Sequence, residues 1–307
     1  MYLTIIICTY NNSKKLRNAL DSLISMEQSA NTAYEVIVIN NNSPDDTGEV
    51  VKSALPSFGG KLRYFFEENQ GISYARNRGI KEASGEFVAF IDDDVIVEKD
   101  WLTEIVKNLQ ALKADCIAGK IIPKWEIPKP RWITENLGKA LGLLNYGDKP
   151  FQIASLEQEI VTANFIAKRS IFEDKKYLFK TYLGDKGKRI IKGEDTELFF
   201  NLMKGGYKIW YSPSVLVRHD IPKERMTMAY FLKWNYRHSE SKIYLTELFP
   251  DLYNREELRK RMKEKFLECI KNIDKSYVEL LGGLFFYIGL IKHRLCRANP
   301  ERGKPLS

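Results

Sequence analysis

Residues 87–94 read FVAFIDDD, an apolar run, Phe87–Ile91, that ends in three aspartates. A short continuous apolar run reads as a strand buried on both faces, the kind found in parallel sheets between helical layers. The chain before it repeats the form. Leu3–Cys8 and Val36–Ile39 are apolar, β-rich runs, and Leu62–Phe66 is a third. Leu16, Ala19, Leu20, Leu23 and Ile24 fall at helical spacing behind Ser13, which the pattern takes as an N-cap. Ile72, Ala75, Ile80 and Ala83 do the same behind Gly71. Strands alternating with helices give an α/β fold with a mainly parallel sheet flanked by helices.

A polar cluster follows each of these strands. Thr9-Tyr10-Asn11 follows the first, Asn40-Asn41-Asn42-Ser43 the second, Glu68-Asn69-Gln70 the third and Asp92-Asp93-Asp94 the fourth. Open α/β sheets bind ligands at the carboxyl ends of their strands, so all four clusters fall on the binding edge. Alternate residues of an extended segment point the same way, so Asp92 and Asp94 face one ligand and Asp93 faces elsewhere. Two clustered carboxylates repel unless a cation neutralises them, and hard oxygen donors suit Mg²⁺ or Mn²⁺ shared with phosphates. A solvated acidic turn is the bland alternative.

Three further places carry candidate chemistry. His219, in YSPSVLVRHDIP, is a candidate third metal ligand or else a surface histidine beside Asp220. Asp195, in GEDTELFFNLM, is either a helix cap or a general base for an attacking hydroxyl. Arg76 and Arg78, in NQGISYARNRGI, can fork onto phosphate or lie on a solvated helix face. No P-loop and no GxGxxG is present, which disfavours kinases and dinucleotide enzymes.

Beyond residue 100 the pattern loosens. Trp101–Leu112 reads as a helix, and Pro123, Pro128, Pro130 and Pro150 break up an irregular region. Ile160–Ile166 is strand-like, and Glu194–Met203 is helical with Gly205-Gly206 as its stop. Lys208–Tyr211 and Val215–Val217 are short strands, and amphipathic helix follows Pro222.

The 307 residues are 44% hydrophobic and 29% charged, a globular balance that excludes bulk disorder. A formal net charge of +8 suits an anionic partner without choosing one. Cys8, Cys116, Cys269 and Cys296 are scattered and form no CxxC pair, which disfavours a zinc site or disulfide framework and fits a reducing, cytoplasmic setting. The longest apolar run, Leu280–Ile291, is too short to span a bilayer.

Five strings, in order, resemble glycosyltransferase family 2 over residues 1–222: TIIICTYNN, YEVIVINNNSPDDT, ENQGISYARNRGIKEASGEFVAFIDDD, TANFIAKRSIFE and GEDTELFFNLMKGGYKIWYSPSVLVRHDIP. The resemblance implies the GT-A fold, with residues 1–100 as the nucleotide-binding half, 101–222 as the acceptor half and 223–307 as a helical C-terminal region. It implies an inverting, metal-dependent transferase that moves a sugar from a nucleoside-diphosphate sugar to a glycan or lipid-linked acceptor in polysaccharide or cell-surface glycan synthesis. Thr9, Tyr10, Asn11, Asn40, Asn42, Arg76, Asp92 and Asp93 would contact the nucleotide. Asp92, Asp94 and His219 would hold Mn²⁺ or Mg²⁺, and Asp195 would be the base. A UDP-sugar is the first expectation, although Asn40 stands where the family usually has aspartate. No nucleic-acid partner is expected.

A nucleotidyltransferase and a non-catalytic nucleotide-sugar binder remain alternatives. At the C-terminus, the basic segment Arg255–Lys265 and the apolar run Leu280–Ile291, followed by Lys292, His293, Arg294 and Arg297, make peripheral membrane contact a candidate role.

Overall fold

The computed structural model describes residues 2–27, 32–186, 189–191, 193–248, 278, 281–286 and 288–290. Its central strand is β1 (Tyr2–Thr9), almost wholly buried. β1 pairs in parallel with β2 (Ala33–Asn40) on one side and β4 (Phe87–Asp92) on the other. β2 in turn pairs in parallel with β3 (Leu62–Phe66). The connections are α1 (Ser13–Ser25), α2 (Thr47–Ala54) and α3 (Ile72–Glu82). In α1 the apolar positions Leu16, Ala19, Leu20 and Leu23 are buried, as their spacing requires.

Past β4 the sheet stops being parallel. β8 (Asn164–Lys168) runs antiparallel to β4, and β6 (Cys116–Trp125) runs antiparallel to β8. β11 (Ile209–Ile221) pairs antiparallel with β5 (Val95–Val97) and with β7 (Phe151–Gln152). The order is β3-β2-β1-β4-β8-β6-β11-β5, with β7 on β11. The sheet is therefore mixed rather than mainly parallel. A parallel return needs a crossover, usually a helix, and the 126–163 segment between β6 and β8 supplies no α-helix among the described residues. β9 (Gly184–Lys186) and β10 (Arg189–Ile191) make a separate two-stranded sheet. The remaining helices are α4 (Trp101–Leu112), α5 (Glu194–Lys204) and α6 (Met228–Leu248).

One buried polar knot ties the antiparallel half together. Asn164 of β8 is fully buried. Its Oδ1 accepts from Trp101 Nε1 at 3.0 Å, and its Nδ2 donates to the carbonyls of Lys120 and Val215 at 3.1 and 2.8 Å. A Cβ at residue 119 would lie 2.1 Å from that Nδ2, so only glycine fits there. Gly119 and Pro123 hide β6 from a periodicity reading.

Other differences from the sequence reading have local causes. The N-cap of α1 is Asn12, not Ser13. The Asn12 carbonyl accepts from Lys15 and Leu16, while the Ser13 N–H donates to Asp45 at 2.9 Å. β8 begins at Asn164 rather than Ile160, because the Thr162 N–H is spent on Asp195. The two short strands around Pro213 are one strand. It pairs with β7 at Trp210–Tyr211 and with β5 at Val217–His219, on either side of the proline. α5 ends where expected, with Gly206 at φ +73°.

The chain divides into two compact units. The first holds residues 1–124, 142–189 and 194–220, and contains the sheet and α1–α5; the second holds 125–141, 190–193 and 221–307. Within the second, Phe231 of α6 meets Trp132 edge-on at 5.3 Å, and the Tyr230 hydroxyl donates to the Ala140 carbonyl at 2.9 Å. The basic segment 255–265, the basic residues 292–297, Cys269 and Cys296 lie outside the described residues.

Glu197 of α5 is 4% exposed. Its Oε1 accepts from Asn201 at 2.7 Å, but its Oε2 is buried without a partner among the described residues. Burial pushes its carboxyl up to about 7, against the pull of Lys180 and Asn201. An acid whose folded pKa is raised stabilises nothing when ionised. Below about 4.5 both states are protonated; between there and 7 the unfolded chain loses its proton first, so stability falls as pH rises. Glu197→Gln should therefore raise stability by up to about 3 kcal/mol at pH 8 and by little at pH 4. Thermal midpoints of both proteins across that range check this, and a gap that does not change with pH would contradict it.

Candidate active site

The parallel register brings the polar clusters to one edge. Thr9 lies opposite Asn40, Cys8 opposite Asp92, and Asn40 opposite Phe66. The β1 and β2 loops each turn through an asparagine of positive φ, Asn11 at +50° and Asn42 at +60°. Asparagine is among the few residues that tolerate this region. Thr9 is buried, and Tyr10, Asn11 and Asn42 are exposed at the rim.

Asn40 is buried, with Oδ1 accepting from the Ser43 N–H at 2.9 Å and Nδ2 donating to the Tyr64 hydroxyl at 2.8 Å. Asn41 stitches the next loop. Its Nδ2 donates to the carbonyls of Glu67 and Asn69, and its Oδ1 accepts from the Gly71 N–H at 2.7 Å. Gly71, at φ +141°, then opens α3.

Arg76 of α3 is the hub. It is 5% exposed, and its guanidinium meets Asp195 at 3.0 Å, Glu194 at 3.3 Å and Asp92 at 3.5 Å. It also lies over the Phe179 ring, 5.2 Å from the centroid. These anions raise its already high pKa despite burial. One guanidinium thus joins the end of β4 to the start of α5. Its donors face protein carboxylates, and the guanidinium holds all three of them together.

Asp195 is held from two sides. Its Oδ1 accepts from Arg76 and from the Thr162 hydroxyl at 2.7 Å, and its Oδ2 accepts from the Thr162 N–H at 3.1 Å. A carboxylate offers about four lone-pair positions, so the open one lies on Oδ2. Thr162 escaped the sequence reading because a lone threonine before a strand carries no signal of its own.

The aspartate triplet does not stay extended. β4 ends at Asp92, and Asp93-Asp94 form a turn into β5. Asp92 turns to Arg76, Asp93 accepts from Asn12 Nδ2 at 2.7 Å, and Asp94 Oδ1 lies 3.1 Å from His219 Nε2. Lys15 stands 3.6 Å from Asp94 Oδ2. The His219 ring packs against Gly142, whose added Cβ would come within 3.1 Å of it. Burial, and then the neighbouring Asp94, push the Asp93 carboxyl up to about 7. Burial likewise pushes the Cys8 thiol up to about 12, which leaves it protonated and unreactive behind the site.

These donors bear on the divalent cation. Among the described residues no three His, Cys, Asp or Glu side chains form a group able to hold a metal. Of the expected ligands Asp92, Asp94 and His219, the turn sends Asp92 to Arg76 and leaves Asp94 and His219 side by side. Asp94 and His219 do fit: a separation of about 3 Å is the edge of an octahedron with bonds of about 2.1 Å. Mg²⁺-type sites commonly take one or two carboxylates and leave the rest to phosphate and water.

The family model described as "Glycosyl transferase family 2" matches residues 4–175. The succinoglycan biosynthesis protein ExoM of Rhizobium meliloti (strain 1021) is 26% identical over 242 residues, 78% of this chain and 74% of that one. Two solved structures share the fold. The mannosyltransferase PcManGT of Pyrobaculum calidifontis, in complex with GDP-Man and Mn²⁺, aligns at TM-score 0.58 and 17% identity over 99% of this chain and 76% of its own. TarS 1–349 of S. aureus, in complex with UDP, aligns at 0.55 and 16% over 96% and 92%. With more than half its length matched by that model, and with a GT-A sheet whose β4 end brings Asp92 to the guanidinium that also holds Asp195 of α5, the chain belongs to glycosyl transferase family 2.

Proposed function

We propose that the chain moves a glycosyl group from a nucleoside-diphosphate sugar, a UDP-sugar first, to a hydroxyl of a glycan or lipid-linked acceptor, with inversion at the anomeric carbon. The observation that carries this reading is the Arg76 guanidinium, which gathers Asp92 and Asp195 at the sheet edge from positions 103 residues apart in sequence (195 − 92). The Rhizobium relative's role in succinoglycan synthesis supports a saccharide acceptor. The GDP-Man and UDP complexes of the two fold neighbours support a nucleotide sugar as donor.

The β1 and β2 loops receive the nucleotide. Asn40 presents its amide from a fixed orientation, since Ser43 and Tyr64 already hold both ends. Asp94 and His219 would hold Mn²⁺ or Mg²⁺, which when bound stabilises charge growing on the leaving diphosphate. Asp195 takes the acceptor proton on Oδ2, the oxygen with an open position. Thr162 and Arg76 keep the carboxylate from rotating, so the proton is taken in one geometry.

Asp94→Ala should weaken Mn²⁺-dependent binding of a nucleoside diphosphate by about 10–100-fold. Titration calorimetry with and without Mn²⁺ checks this, and unchanged binding would remove Asp94 from the site.

A further inference from the structure

The second unit contains a helix packed the wrong way round for water. Residues 281–286 and 288–290 are helical. Gly282 and Gly289, one heptad apart, both lie close against α6. An added Cβ at 282 would lie 2.7 Å from Asn235 Nδ2, and one at 289 would lie 2.0 Å from Ser239 Oγ and 2.9 Å from the Tyr236 carbonyl. Phe286 completes this face against His238 at 6.0 Å, and His238 stacks on Trp234 at 4.6 Å. The large side chains Leu281, Leu284, Phe285 and Ile288 are 36%, 46%, 37% and 46% exposed. They stand at i, i+3, i+4 and i+7, a single stripe about a third of a turn from the glycine face.

In an aqueous fold the large apolar residues turn inward. Small residues at the helix contact with large apolar ones outside is the arrangement of helices in an apolar medium. The apolar run Leu280–Ile291 is too short to cross a bilayer, and no described helix is long and apolar enough to do so. The sequence continues at once into Lys292, His293, Arg294 and Arg297. An apolar stripe beside cationic residues matches a bilayer interface with anionic headgroups.

We infer that this stripe docks the chain in the plane of an anionic lipid surface, with Leu281, Leu284, Phe285 and Ile288 entering the boundary between headgroups and acyl chains. The inference is independent of the transfer reaction, because it rests on the second unit alone.

The test is co-sedimentation of the full chain with vesicles of phosphatidylcholine and phosphatidylglycerol in equal parts, and with phosphatidylcholine alone. The wild-type chain should pellet with the mixed vesicles, and more weakly with the neutral ones or at 0.5 M salt. Leu284→Ser/Phe285→Ser should reduce partitioning roughly 100-fold with an unchanged thermal midpoint, since both residues are exposed. Arg294→Glu/Arg297→Glu should remove the preference for anionic vesicles while keeping the residual neutral binding. Absence of pelleting with mixed vesicles, or equal pelleting of wild type and the Leu284/Phe285 variant, overturns the inference. So does a dimer in size-exclusion chromatography that this variant dissolves, which would make a second copy the occupant.

Discussion

Asp195→Asn is expected to leave nucleotide binding within a few-fold of wild type and to lower transfer by about 10²–10⁴-fold. The carboxylate contacts Arg76 and Thr162, not the β1 and β2 loops where the nucleotide is placed. An asparagine keeps the size of the side chain and one acceptor oxygen. It cannot take a proton from a hydroxyl, and its NH₂ must face the Thr162 N–H or the Arg76 guanidinium, so one donor loses its acceptor. A stability loss of about 1–3 kcal/mol should accompany the kinetic defect. The nucleotide dissociation constant and kcat, measured separately, distinguish these effects. Full turnover in the variant would take Asp195 out of the proton transfer, and loss of nucleotide affinity as large as the loss of turnover would make its role binding instead.

Arg76→Met should be the most destabilising single change in the site. It removes the one buried cation shared by Asp92, Glu194 and Asp195 and leaves three carboxylates facing one another. Breaking a buried pair from one side costs about 3–5 kcal/mol. For a unit of this size that is a fall in thermal midpoint of roughly 10 °C. The deficit should be greatest at neutral pH and shrink toward acid pH, where Asp92, whose carboxyl burial raises, takes up a proton. Transfer should be lost with it, because Asp195 loses one of its two anchors. A midpoint within a degree of wild type at pH 7 would mean that the three carboxylates do not depend on this guanidinium.

The parallel half of the fold was legible because its strands are buried on both faces. Leu3–Cys8, Val36–Ile39, Leu62–Phe66 and Phe87–Ile91 all mark strands, and Trp101–Leu112 matches α4 to the residue. The short elements α2 and β5 carry too little period to be read. β6 was hidden by Gly119, which is there because the Asn164 amide approaches the backbone. That reason lies in tertiary structure and leaves no local pattern.

The site shows the same division. Residues on strand ends were found by position, since parallel register aligns them. The split of the aspartate triplet was not, because two-residue alternation assumes an extended chain and Asp93-Asp94 turn. Arg76 was noticed as a cation, but only the fold reveals that its partners are carboxylates 16 to 119 residues away (92 − 76 and 195 − 76). Thr162 and Lys15 join the site through distant partners and could be found only from coordinates.

The most direct measurement is the identity of the nucleotide released. UDP- and GDP-sugars are incubated in turn with the chain, Mn²⁺ and an acceptor saccharide, and the products are read by mass spectrometry. Release of a nucleoside diphosphate together with a glycosylated acceptor, dependent on the metal and nearly abolished by Asp195→Asn, is the predicted result. Release of pyrophosphate from a nucleoside triphosphate, or a nucleotide sugar that binds and is never consumed, would contradict it.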